Sequence, residues 1–97
     1  MMELKLTIKQ LVIPGLRISG FKEYFMVIIP RAYNNYITES AYNAYLVIDS
    51  SIIPLGAKKV TKITNKNYAV FLPKALNEKW KKLYEEKARV DLILEFF

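Results

Sequence analysis

One motif occurs twice in this chain, and the repeat limits the fold more than any other feature. Tyr24-Phe25-Met26-Val27-Ile28-Ile29-Pro30-Arg31-Ala32-Tyr33-Asn34-Asn35-Tyr36-Ile37 is matched, without a gap and at an offset of 43 (Pro30 to Pro73), by Asn67-Tyr68-Ala69-Val70-Phe71-Leu72-Pro73-Lys74-Ala75-Leu76-Asn77-Glu78-Lys79-Trp80. Val27/Val70, Pro30/Pro73, Ala32/Ala75 and Asn34/Asn77 are identical, Arg31 matches Lys74, and Ile37 matches Trp80. Each copy is an apolar run, a proline, a cation and a stretch with helical spacing. Self-similarity at a fixed offset means one structural unit used twice.

The 97 residues make a single domain, 1–97, and a chain this short hides only roughly 60–70% of its unfolded surface. Two copies that cover each other's apolar faces would use the material well. Cysteine and histidine are both absent. That removes disulfides, thiolate metal sites, thiol nucleophiles and the usual neutral-pH base. Serine has no histidine partner, Glu85-Glu86 diverge on a helix, and Gly15, Gly20 and Gly56 are isolated rather than a phosphate loop. The expectation is therefore a protein without catalytic activity, cofactor or metal. No stretch reaches the ~20 apolar residues of a membrane span, and Met1-Met2-Glu3-Leu4-Lys5 lacks the apolar block of a secretory signal. A cytoplasmic location without membrane partners is expected.

Charge is distributed unevenly. Residues 1–50 carry five cations against four anions, and residues 51–97 carry ten against five. Between Lys58 and Lys82 stand eight lysines and one acid, Glu78. Such a segment suits a polyanion. A solvated lysine-rich surface is the alternative reading of the same residues.

Alternation over Glu3–Lys9 predicts an N-terminal strand, about 3–13, broken by Pro14-Gly15. Leu16-Arg17-Ile18 reads as a short strand, Ser19–Glu23 as a turn and Tyr24–Ile29 as a buried strand. Pro30 then starts a helix whose face is Tyr33, Tyr36, Ile37 and Ala41. Ala44–Ile48 reads as a strand, and Asp49-Ser50-Ser51 with Pro54-Leu55-Gly56 as the connection between copies. The order recurs in the second copy. Lys59–Ile63 is a strand, Thr64-Asn65-Lys66-Asn67 a turn whose asparagines tolerate positive φ, and Tyr68–Leu72 a strand. Pro73 starts a helix with Leu76, Trp80, Leu83 and Tyr84 on one face, and Arg89–Phe96 closes. The pseudo-repeats are about 16–50 and 58–97. Tyr33, Tyr36, Trp80 and Tyr84 are assigned to the core by their helical spacing, and Tyr24 and Tyr68 as heads of buried strands. That assignment argues against aromatic stacking on single strands.

Val60-Thr61-Lys62-Ile63-Thr64-Asn65-Lys66-Asn67-Tyr68-Ala69-Val70-Phe71-Leu72-Pro73-Lys74-Ala75-Leu76, with Arg89–Glu95 as the closing strand, resembles the SpoVT/AbrB family of swapped-hairpin DNA-binding domains, which includes MazE-type antitoxins. The likeness covers about 58–96, with an echo over about 16–50. It implies a β-rich α+β fold: two strand–turn–strand–helix–strand pseudo-repeats forming one swapped-hairpin β-barrel with two short helices, a fused version of the family's dimer. It maps DNA contact onto Lys58, Lys59, Lys62, Lys66 and Lys74, and in the first copy onto Arg17, Lys22 and Arg31. The chain departs from the family pattern in two places. The turn between helix and last strand lacks glycine in both copies, and residues 1–15 have no counterpart in the second copy.

The expected partner is double-stranded DNA, bound by a transcriptional regulator. Arg17, Arg31, Asn65 and Asn67 are the candidate base readers, although turn geometry alone also accounts for the asparagines. With twelve lysines and three arginines, shape and backbone recognition should outweigh base readout. The alternatives are an antitoxin-like module with a toxin-like protein partner, and a structural homodimer that donates residues 1–15 as an edge strand. Family antitoxins add a disordered tail, whereas this sequence stops at Phe97, straight after its last strand.

Overall fold

The computed structural model of the chain describes residues 10–37 and 41–96. Strands β1 (Gln10–Phe21), β2 (Tyr24–Ile29), β3 (Ala41–Ile48), β4 (Ser51–Lys59), β5 (Thr61–Lys62), β6 (Tyr68–Phe71) and β7 (Arg89–Phe96) form one antiparallel sheet in the order β4-β3-β7-β1-β2-β6-β5. β4 and β5 lie at opposite ends of that order, yet only Val60 separates them. One residue spans less than 4 Å. The sheet must therefore curl until its two ends meet, and it forms a half-barrel. Alternation then sends Ile13, Val27, Leu46, Val60, Val70, Leu92 and Leu94 inward, all fully buried. A 3-10 helix (Arg31–Tyr36), a second 3-10 turn (Lys74–Leu76) and one short α-helix, α1 (Asn77–Glu85), complete the fold, with α1 packed on β1 and β2. Among the described residues no helix is long and apolar enough to cross a membrane.

The two motif copies pair with each other. β2 runs antiparallel to β6 with Val27 opposite Val70, Met26 opposite Phe71 and Ile28 opposite Ala69. Val27 and Val70 are also the matched positions of the repeat, so the ladder is centred on equivalent residues. β3 and β7 also run antiparallel, with Ala44 opposite Leu94 and Leu46 opposite Leu92.

Neither proline–glycine segment interrupts a strand as expected. Pro14-Gly15 lies inside β1, where the pairing with β7 slips between Ile13 and Leu16. Pro54-Leu55-Gly56 lies inside β4, where the pairing with β3 slips between Ala44 and Tyr45. Gly15 and Gly56 have φ of +68° and +78°, which glycine adopts without a Cβ clash. A proline is tolerated at such a bulge because no ladder donor is needed there. The first bulge is clamped from β7: the Gly15 N–H donates to Asp91 Oδ1 at 3.0 Å, and Arg89 Nη1 donates to the Gly15 carbonyl at 2.9 Å. Residues 10–15 and 51–56 thus share a proline, a positive-φ glycine and a register slip. The rest of the expected N-terminal strand, including Glu3–Lys9, lies outside the described residues. The connection between β3 and β4 is only Asp49-Ser50, with φ of 45° and 72°, the backbone of a tight hairpin turn. β1 runs on through Phe21, which shortens the expected Ser19–Glu23 turn to Lys22-Glu23.

Two short helices were expected, but the first copy forms only the 3-10 helix. Asn34-Asn35 and the β-branched Ile37 are weak helix formers, whereas Glu78-Lys79-Trp80-Lys81-Lys82-Leu83 are mostly strong ones. A 3-10 helix rises about 2 Å per residue, so Tyr36 sits roughly 6 Å beyond Tyr33 along the axis. Tyr33 stays half-buried, whereas Tyr36 is 61% exposed and Ala41 opens β3 as an exposed residue.

α1 ends without glycine, by a different device. Ala88 N–H donates to the Leu83 carbonyl (3.0 Å) and Lys87 N–H to that of Tyr84 (3.2 Å), with Lys87 at φ 53°. This is a Schellman ending with lysine in the left-handed seat that glycine normally fills. Lys87→Gly is expected to stabilise the chain by about 0.5–1 kcal/mol, raising the melting temperature by roughly 2–8 °C. A thermal melt checks this, and an unchanged or lower midpoint would mean that Lys87 is not left-handed.

Candidate nucleic-acid interface

The residues after each proline cross to the other copy, and they do so at matched positions. In the first copy, Arg31 Nε donates to Asn67 Oδ1 at 3.2 Å. In the second, Lys74 Nζ lies 4.3 Å from the centre of the Tyr24 ring, a cation–π contact. Arg31 matches Lys74, and Tyr24 matches Asn67. Three residues further on, Asn34 Nδ2 donates to the Lys66 carbonyl at 2.9 Å, and Asn77 Nδ2 donates to the Glu23 carbonyl at 3.0 Å. Glu23 and Lys66 are also 43 apart. Each copy therefore ties the hairpin turn of the other, and Asn34 Oδ1 and Asn77 Oδ1 are left buried without a partner in the same way.

These ties sort the expected site residues into two groups. At one end of the β2–β6 ladder, Lys22, Lys58 and Lys74 line a cleft of about 750 Å³ with Tyr24, Met26, Ile63, Phe71, Leu72 and Pro73. At the other end, the turn after β5 brings Asn65, Lys66 and Asn67 beside Arg31. Lys62, exposed on β5 opposite Tyr68, stands next to this turn, because the Ile63 N–H donates to the Asn67 carbonyl at 2.9 Å. Six residue steps, from position 24 to position 30, span about 20 Å along the ladder, and Ile63, next to Lys62, reaches the cleft from the second turn.

Other expected residues separate. Arg17 sits on β1 directly opposite Arg89, in the β1–β7 ladder and outside both groups. Lys59 neighbours Lys58 on β4, so strand alternation points it the other way, and only Lys58 lines the cleft. Asn65 and Asn67 do not use positive φ; among the described non-glycine residues only Lys22, Asp49, Ser50 and Lys87 do. Asn67 closes its turn through its carbonyl and holds Arg31 through its side chain.

The aromatic assignments also need correction. Trp80 is fully buried, and Tyr33 and Tyr68 pack half-buried against the core, but Tyr24 and Tyr84 are each 46% exposed. Tyr24 heads its strand beside the Lys22-Glu23 turn, beyond the sheet's covered part, and meets Phe71 edge to face at 6.3 Å. Tyr84 lies on the outer flank of α1, edge to face with Phe25 at 6.0 Å. Tyr24, Phe71, Asn34 and Asn77 were not among the expected site residues. The signal for the asparagines was present in their identity at a matched position. That for Tyr24 was its place one residue beyond a turn.

A second cleft, about 490 Å³, adjoins the first across Lys22 and mixes charges: Glu23, Glu78 and Glu85 with Lys22 and Lys81. No protein-family model, curated protein or solved structure matches this chain.

Proposed function

We propose that the chain is a double-stranded DNA-binding transcriptional regulator, built as a single-chain pair of swapped hairpins closing one barrel. The observation that carries this reading is the reciprocal crossing at matched positions, Asn34 to the Lys66 turn and Asn77 to the Glu23 turn. Two protomers that interleave hairpins would tie each other in this way, and one chain does it here across an internal repeat. The ties fix cationic turns at both ends of a rigid ladder, and a rigid frame is what a row of phosphates requires. Lysines there neutralise phosphates and release counterions. Arg31 and Asn67 hold each other, and Arg17 stands apart, so few side chains are left to read base edges. Recognition then rests mainly on backbone and groove shape.

An anisotropy titration of a labelled duplex of about two helical turns tests the reading. Binding well below millimolar at low salt is expected. A duplex that stays free at millimolar protein would remove the assignment.

A further inference from the structure

We propose that the cleft between the β1–β2 turn and Pro73 binds an unpaired nucleotide, with its base against Tyr24 and Phe71 and its phosphate on Lys22, Lys58 and Lys74. This goes beyond duplex binding and stands on the cleft alone. Among the described residues, its lining combines two aromatic rings and further apolar side chains with three lysines, and no carboxylate. Its volume of about 750 Å³ falls within the usual range for a small-ligand site. A ligand that fits both features is flat, apolar on its faces and compactly anionic at one end.

Two observations narrow the class. First, Lys74 already holds its ammonium over the Tyr24 ring, so a base packed beside that ring brings its phosphate within reach of a cation. Second, the adjoining cleft mixes Glu23, Glu78 and Glu85 with Lys22 and Lys81, so among the described residues the purely cationic lining is confined to the first cleft, room for one nucleotide with its neighbours outside. The first copy has no equivalent: the positions matched to Tyr24, Lys22 and Phe71 are Asn67, Asn65 and Ile28. The repeat has diverged into one end that pairs its cations with Tyr24 and Phe71 and another that pairs them with asparagines.

The test uses a deoxytetranucleotide with one 2-aminopurine, the same strand with an abasic residue in its place, and free 2-aminopurine nucleoside 5′-monophosphate. The base-bearing strand is expected to bind the full chain about ten-fold or more tightly than the abasic strand, with quenching of 2-aminopurine, as for one base–aromatic stack. Tyr24→Leu should reduce its affinity to the abasic level, and Tyr24→Phe should keep it. Free monophosphate binding as tightly as the strand would support a free nucleotide as the ligand, and weaker binding would support a nucleotide within a strand. Equal binding of base-bearing and abasic strands by the unaltered chain would overturn the proposal, as would a folded Tyr24→Leu variant that binds unchanged. The probes are single-stranded, so a failure of duplex binding leaves this result to be read separately.

Discussion

Trp80→Ala is expected to unfold most of the chain at moderate temperature. The Trp80 side chain is fully buried, the largest of the fully buried side chains among the described residues, and α1 carries it onto the curled sheet. Its Nε1–H donates to the Pro73 carbonyl at 2.9 Å, which fixes α1 to the end of β6 where the chain turns. Truncation removes an aromatic ring from a close-packed site, leaves a cavity and strands that carbonyl. Large-to-small changes of this kind cost about 3–5 kcal/mol, against a total stability of about 5–15 kcal/mol for a domain of this size. A melting midpoint lower by more than about 12 °C should follow in circular dichroism. Trp80→Phe keeps most of the volume and loses the hydrogen bond, so it should fall between. A shift of only a few degrees for Trp80→Ala would mean that α1 does not dock as described.

Charge reversal at the two ends of the β2–β6 ladder should abolish duplex binding without unfolding the chain. Lys62 and Lys74 are both exposed, one in each group. Each Lys→Glu change removes a phosphate contact and adds a repulsion, so the double variant should bind at least about 100-fold more weakly at low salt. Exposed substitutions cost roughly 0.5 kcal/mol or less, and Lys74 also loses its cation–π contact with Tyr24, about 0.5–1 kcal/mol. The informative control is Lys79→Glu with Lys82→Glu, two exposed positions on α1 outside both groups. It changes the net charge equally and should weaken binding far less. An equal loss from both pairs would mean that total charge, not placement, drives the interaction.

The two central strands, though not their pairing, were legible in the sequence because both copies keep an apolar run ending in proline at one fixed offset. Val27 and Val70 match in sequence and face each other in the ladder. The burial of Ile37 and Trp80 at matched positions followed from the same comparison. What escaped depends on backbone states that residue type does not announce. Pro14-Gly15 and Pro54-Leu55-Gly56 read as breaks, but a bulge accommodates a proline and a left-handed glycine while the strand continues. Lys87, Asp49 and Ser50 occupy positive φ where the sequence offers no glycine. In the candidate site, the family resemblance grouped Lys58 with Lys59 and Arg17 with Arg31, while strand alternation and ladder position separate them. Tyr24 and Tyr36 were assigned to the core by their spacing. A strand end and a 3-10 helix, respectively, leave them exposed.

Duplex affinity measured across about 50 to 200 mM salt bears most directly on the view that two fused halves present ordered cations to DNA. Contacts from Lys22, Lys58, Lys62, Lys66 and Lys74 should give a log–log slope of about −4.5, falling in magnitude by about 2 in the Lys62→Glu, Lys74→Glu variant. A slope near zero, or one that the double variant leaves unchanged, would contradict it.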